Sequence, residues 1–161
     1  SGFKPKRTIV FVLFGGEETG LYGSDYLANH PIMPLSNAKV VINIDCLGDG
    51  YGFGAMVASK YSSMFKYIEQ ADAKSCNRPF LKVPGRDVIV TRPRTDEANF
   101  FIKGVPTISP FAFGGTKVIP YHNPGDTMDN IDFDLVRDAV KWMATTLMDM
   151  STVQKITAEK E

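Results

Sequence analysis

The sequence predicts an α/β fold: a mixed, mostly parallel sheet flanked by helices. Three observations carry that prediction. Runs of β-branched and aromatic residues alternate with segments of helical spacing. The runs "TIVFVLF" (8–14) and "AKVVINID" (38–45) read as strands buried on both faces, as in parallel or mixed sheets under helices. Acidic residues then stand at or just past the ends of these two strands, where open α/β sheets gather their ligands.

The elements follow in order. Gly15 and Gly16 end the first strand. "GLYGSDYLANH" (20–30) forms a short helix, with Ser24 and Asp25 near its start and His30–Pro31 closing it. After the second strand, "GFGAMVAS" (52–59) makes a third. Residues 60–74 have helical spacing, with Met64, Tyr67, Ile68 and Ala71 on one face. Residues 78–94 are irregular apart from a short strand near "DVIV" (87–90). Thr95 caps a helix that runs through Lys103, and Gly104 stops it. "VPTISPF" (105–111) is a further strand, followed by a long Gly/Pro/Asn/Asp-rich loop over 114–132. Residues 132–150 form the longest amphipathic helix, with Val136, Val140, Met143 and Leu147 on its core face. The tail "TAEKE" is expected to fray. There is no internal repeat.

A chain of 161 residues fits one domain. With 43% hydrophobic and 22% charged residues, a packed core is expected and disorder is not. Lysine plus arginine (18) balances aspartate plus glutamate (18), so no basic surface invites nucleic acid or an acidic membrane. The apolar runs are too short to span a bilayer, and nothing at this N-terminus reads as a signal peptide. Cys46 and Cys76 make no disulfide framework, and the sequence leaves open whether they pair.

The chemistry concentrates in three places. Glu17 and Glu18 follow the first strand, Asp45 closes the second, and His122 sits in the long loop. Carboxylates and imidazole are the donors that hold zinc, and a metal-activated water also needs a base to take its proton. Two adjacent glutamates on a turn can divide those tasks. The ordinary readings stand beside this one. An acidic pair after Gly-Gly is commonly a solvated turn, Asp45 is a normal turn residue, and a loop histidine alone is an even choice. Asp96 also suits a helix start, so its structural and functional readings weigh the same. For Arg92 and Arg94, surface charge is the better reading; Cys46 reads as a small buried hydrophobe.

"FVLFGGEETGLYGSDYL", "VINIDCLGD" and "YHNPGDTMDNID" resemble successive motifs of the M28 family of zinc aminopeptidases, which also includes glutaminyl cyclases. "TDEANFFIKGVPTI" resembles that family's S-D-H-x-x-F segment and the strand after it, and the likeness runs from about Arg7 to Trp142. The resemblance implies the fold of zinc exopeptidases and a set of roles. Glu17 would be the general base that passes a proton from water to the leaving amine. Glu18 and His122 would hold one zinc, and Asp45 the other. Asp96 would support the substrate end of the site, and Tyr121 would line the pocket or steady the tetrahedral intermediate. The implied reaction is hydrolysis of N-terminal peptide bonds, with peptides or protein N-termini as substrates.

One departure matters. The family draws two further ligands, a histidine and an aspartate that bridges the metals, from segments ahead of the first strand. This chain has two histidines, His30 and His122, and no counterpart of that pair. The chain therefore reads as the C-terminal part of an M28 catalytic domain, inactive or nearly so alone, with an exposed sheet edge that invites self-association. Two other readings remain open: an acyltransferase of the glutaminyl cyclase kind, and a non-catalytic binding domain of the same fold. The resemblance favours an exported protein.

Overall fold

A computed structural model describes residues 2–84, 94–115 and 121–156. Its elements are α1 (Tyr22–Asn29), β1 (Val41–Ile42), β2 (Gly52–Val57), α2 (Phe65–Ser75), β3 (Phe80–Pro84), α3 (Glu97–Ile102), β4 (Thr107–Phe113) and α4 (Phe133–Thr152). The strands form one mixed sheet in the order β1-β4-β2-β3. β1 runs parallel to β4 and β3 parallel to β2, while β2 and β4 are antiparallel. The expected class and mostly parallel sheet are what these residues form. The short strand expected near "DVIV", Arg92 and the "TAEKE" tail lie outside the described residues.

The larger core joins the sheet to α2 and α4. Phe53, Ile68, Ile108, Leu135 and Trp142 are fully buried there. The Trp142 ring stacks on Phe53, centroids 4.6 Å apart, and its Nε1–H donates to the Ile68 carbonyl at 2.7 Å. Burying an indole without losing its polar end needs such an acceptor. Met64, Tyr67, Ile68 and Ala71 are buried together, as their spacing predicts. A smaller core of Ala28, Phe100 and Val105 ties α1 and α3 to Phe14 and Val41.

Helix α4 begins where Asp132 accepts the backbone N–H groups of Asp134 and Leu135, an N-cap that fills two orphan donors. Its far end is met by Arg7, whose guanidinium donates to the carbonyls of Met150, Val153 and Gln154 at 3.0, 2.6 and 3.1 Å. Helix α2 ends on Asn77, held at φ 51° with its N–H on the Asp72 carbonyl.

Four expectations need correction. Residues 8–14 are not a buried strand: they join no ladder among the described residues. Phe11 is 82% and Leu13 100% exposed. A strand needs neighbours to pair its backbone and cover its faces, and no described strand lies beside this run. The strand expected over 38–45 shrinks to Val41–Ile42, at the sheet edge beside β4. The core face of α4 is turned about its axis from the expected stripe. Leu135, Ala139, Trp142, Thr146 and Met150 are buried, while Val140 is 64% exposed. Of the expected residues only Met143 is buried, because α4 packs on α2 through the Trp142 face. Thr95 does not cap α3: its hydroxyl donates to the Glu97 carboxylate at 2.8 Å, and Asp96 holds the N-cap position without a side-chain cap.

Candidate active site

The Gly-Gly-Glu-Glu stretch is a tight turn that feeds α1. Gly20 and Leu21 donate to the Glu17 carbonyl at 3.1 and 3.0 Å, and Tyr22 and Gly23 donate back to Gly16 and Gly15. These bonds satisfy the first N–H groups of the helix with backbone carbonyls instead of a side chain. The fold demands glycine at position 23: a Cβ there would lie 2.7 Å from the Gly15 carbonyl oxygen. The turn therefore leaves the Glu17 and Glu18 side chains free of backbone duties.

From the loop before α4, His122 reaches Glu18. The His122 Nε2 and Glu18 Oε1 stand 2.7 Å apart across 104 residues of sequence, both side chains solvent-accessible. The Tyr121 ring stacks on the His122 imidazole, centroids 3.7 Å apart, which steadies its plane. Asp45 lies just past β1, and its Oδ1 accepts the Cys46 thiol at 3.4 Å.

Burial raises the Glu17 carboxyl above its ordinary value; the charges of Glu18, Asp45 and Asp96 raise it further, and His122 opposes them. All four groups are thus near enough to act on Glu17. Glu17, Glu18 and Asp45 likewise act on the Tyr121 hydroxyl, whose proton is held first by burial and then by those carboxylates. The Cys46 thiol is pushed up to about 11, by burial first and by Asp45 next, so it stays a neutral thiol. It is exposed, not buried as expected. Of the site residues read from the sequence, Glu18, His122 and Tyr121 are in direct contact, and Glu17 lies within electrostatic reach of Glu18, Asp45, Asp96 and His122. Asp96 is 7% exposed, and its Oδ1 has no hydrogen-bond partner among the described residues.

Backbone strain marks the same place, and no sequence pattern announces it. Leu21, Cys46 and His122 have φ of 59°, 51° and 57°. Side-chain-bearing residues rarely adopt that region, and where they do, it is often at functional sites. The sequence reading also missed Asp49 and Asp126, which line a cavity next to Asp45. Their only signal was position in the loops after two candidate ligands.

The donor set suits zinc: a carboxylate oxygen and an imidazole nitrogen meet in an accessible position. It is short in number. Among the described residues no group of three histidine, cysteine, aspartate or glutamate side chains is placed to hold an ion.

The chain matches the profile of Peptidase family M28 over residues 1–147, and it belongs to that family. It is similar to the probable glutamate carboxypeptidase LAMP1 of Arabidopsis thaliana, 34% identical over 70 residues, 43% of this chain and 10% of that protein. A probable zinc metalloprotease of Pyrenophora tritici-repentis is 45% identical over 47 residues, 29% of this chain and 11% of that one. In fold it is similar to the LapA aminopeptidase of Legionella pneumophila, with a TM-score of 0.73 at 21% identity. That match covers 100% of this chain and 43% of the other. The matched stretches thus span about a tenth of the length of these curated relatives, and the chain spans less than half of that solved structure. No helix among the described residues is long and apolar enough to cross a membrane.

Proposed function

We propose that this chain carries the proton-transfer and part of the metal-binding machinery of a zinc aminopeptidase that hydrolyses N-terminal peptide bonds. The observation that carries the reading is the meeting of Glu18 and His122 beside a Glu17 carboxyl of raised proton affinity. Glu18 and His122 would hold the zinc, which when bound would supply Lewis acidity toward water and the scissile carbonyl. Glu17 does the chain's own chemistry. Its raised affinity brings it nearer the neutral range, where a carboxylate both takes a proton and returns it to a leaving amine. Asp45 is the ligand for a second zinc, Asp96 supports the substrate end, and Tyr121 offers a hydroxyl to the developing oxyanion.

Two ligands fall short of the three that catalytic zinc usually takes from protein, so the chain alone is inactive or weakly active. Its unpaired apolar stretch at 8–14 supports self-association. By the family resemblance, the longer protein is exported and acts on peptide or protein N-termini.

Zinc titration by calorimetry tests this reading on the chain itself, against Glu18→Ala and His122→Ala. The expected result is measurable binding that both substitutions abolish and that Glu17→Gln leaves in place. Binding unchanged by either ligand substitution overturns it. A peptide panel then separates the chemistries: cyclisation of N-terminal glutamine, or release of C-terminal glutamate, replaces the aminopeptidase assignment.

A further inference from the structure

The Glu17–Glu18 turn is closed by a residue in a strained conformation. Leu21 stands at the start of α1 with φ 59° and ψ 31°, left-handed backbone that a leucine rarely adopts. Its N–H donates to the Glu17 carbonyl at 3.0 Å, so this residue fixes how the chain leaves the two glutamates. Such a conformation persists only where its surroundings over-determine it. Among the described residues no side chain caps this helix terminus.

Packing supplies one hold, because the Leu21 side chain is buried. The other comes from a neighbouring helix. Asn99 of α3 donates through Nδ2 to the Ser24 hydroxyl at 2.9 Å, and that hydroxyl donates to the Leu21 carbonyl at 3.0 Å. A longer contact from the same Nδ2 reaches the Leu21 carbonyl at 3.5 Å. Ser24 is fully buried and Asn99 half-buried, so water competes poorly for these bonds.

Two helices in contact often share a side-chain bond for packing alone. Three observations give this one a further task. Asparagine is a poor residue for a helix interior, since its amide competes for nearby backbone; at 99 the amide leaves its own helix and reaches α1. The two helices are already joined elsewhere, by Lys103 donating to Asn29 at 2.8 Å and by the small core of Ala28, Phe100 and Val105. Asn99 adds a hold at the end of α1 that follows the glutamates. Finally, Asp96 lies three positions before Asn99 and acts on Glu17 by charge. The α3 segment thus carries both the aspartate assigned to the substrate end and the tie to the turn.

We infer that Asn99, acting through Ser24, is the positioning residue of this turn: it holds the Leu21 carbonyl and so keeps Glu18 within reach of His122. The inference rests on the zinc aminopeptidase reading above and adds what sets the geometry of its ligands.

Zinc calorimetry and amide hydrogen exchange on Asn99→Leu test it, with Ser24→Ala as a second way to cut the same bonds. Leucine is close to asparagine in size and favours helix, so what the substitution removes is the amide. Zinc affinity should fall about tenfold in each variant, the low end of what residues behind a metal ligand give. The Gly20 and Leu21 amides should exchange faster, while amides of α2 and α4 keep their protection. The double variant should lose about as much as either single one, because both cut one chain of bonds. Lys103→Ala, which removes the tie at the far end of α1, should change neither zinc affinity nor exchange at the turn. Zinc binding as tight as wild type in both Asn99→Leu and Ser24→Ala overturns the inference and leaves the peptidase reading standing. So does faster exchange spread evenly over the chain, which is lost stability and not a displaced turn. No zinc binding by the wild-type chain overturns the peptidase reading and the inference with it.

Discussion

Two apolar regions of this chain have similar sequence patterns and opposite fates. The Phe53–Trp142 core, between the sheet and its helices, is sealed: both rings have no exposed surface. The stretch Val10–Leu13, with the outer stripe of α4, is open: Val10 is 44%, Met148 43% and Val140 64% exposed. Phe11 and Ile44 meet that stripe along an apolar groove. Hydrophobic patterning therefore states which surfaces can be buried. Whether they are depends on a partner that a local pattern does not describe.

The sharpest test of that contrast is Trp142→Ala. It removes a stacked, hydrogen-bonded indole from a sealed core and should cost about 3–5 kcal/mol in urea unfolding. A loss below about 1 kcal/mol would mean that the core is not close-packed.

A smaller effect is expected at the rim of the same core, where Arg78 donates to Asp138 at 3.0 and 2.7 Å. The Arg78 hydrogen bonds hold the Asp138 carboxyl below its ordinary value of 3.8. A depressed folded-state value gives stability that is present above pH 3.8 and lost as pH falls through the folded value. Asp138→Asn should therefore destabilise by roughly 1 kcal/mol at neutral pH. That difference should vanish in strong acid; a pH-independent difference would assign the effect to packing instead.

The smallest effect on stability belongs to the open region. Leu13→Ser and Val140→Ser should each change unfolding by less than about 0.5 kcal/mol. They should nevertheless reduce association measured by sedimentation velocity. A large stability loss in either would show that this surface is covered in solution.

How much was legible follows the same division. The α/β class, the face of α2 and the helix stop at Gly104 came from periodicity and turn chemistry, which act over a few residues. The antiparallel pairing of β2 with β4 did not, because the register Phe53↔Ala112 joins residues far apart in sequence. The stripe on α4 was read one face away from the true one, since Val136, Val140, Met143 and Leu147 have the same spacing as Leu135, Ala139, Trp142 and Thr146. At the site, spacing alone left Glu17, Glu18 and His122 undecided; their order within family motifs brought them together. The strained φ of Cys46 and His122 and the cavity beside Asp49 had no sequence signal, because both arise only when separate loops meet.

Arg7 has a topological consequence. Its bond to the Val153 carbonyl closes a ring of chain between residues 146 positions apart. Lys6 adds a second clasp, its N–H on the Ser151 carbonyl at 3.1 Å. Loop-closure entropy grows only logarithmically with length, so such a ring costs little more than one half its size. The segment around Arg7 and the last turn of α4 thus act as a single buckle. A substitution at Arg7 would therefore loosen two segments at once, although they lie 146 positions apart in sequence.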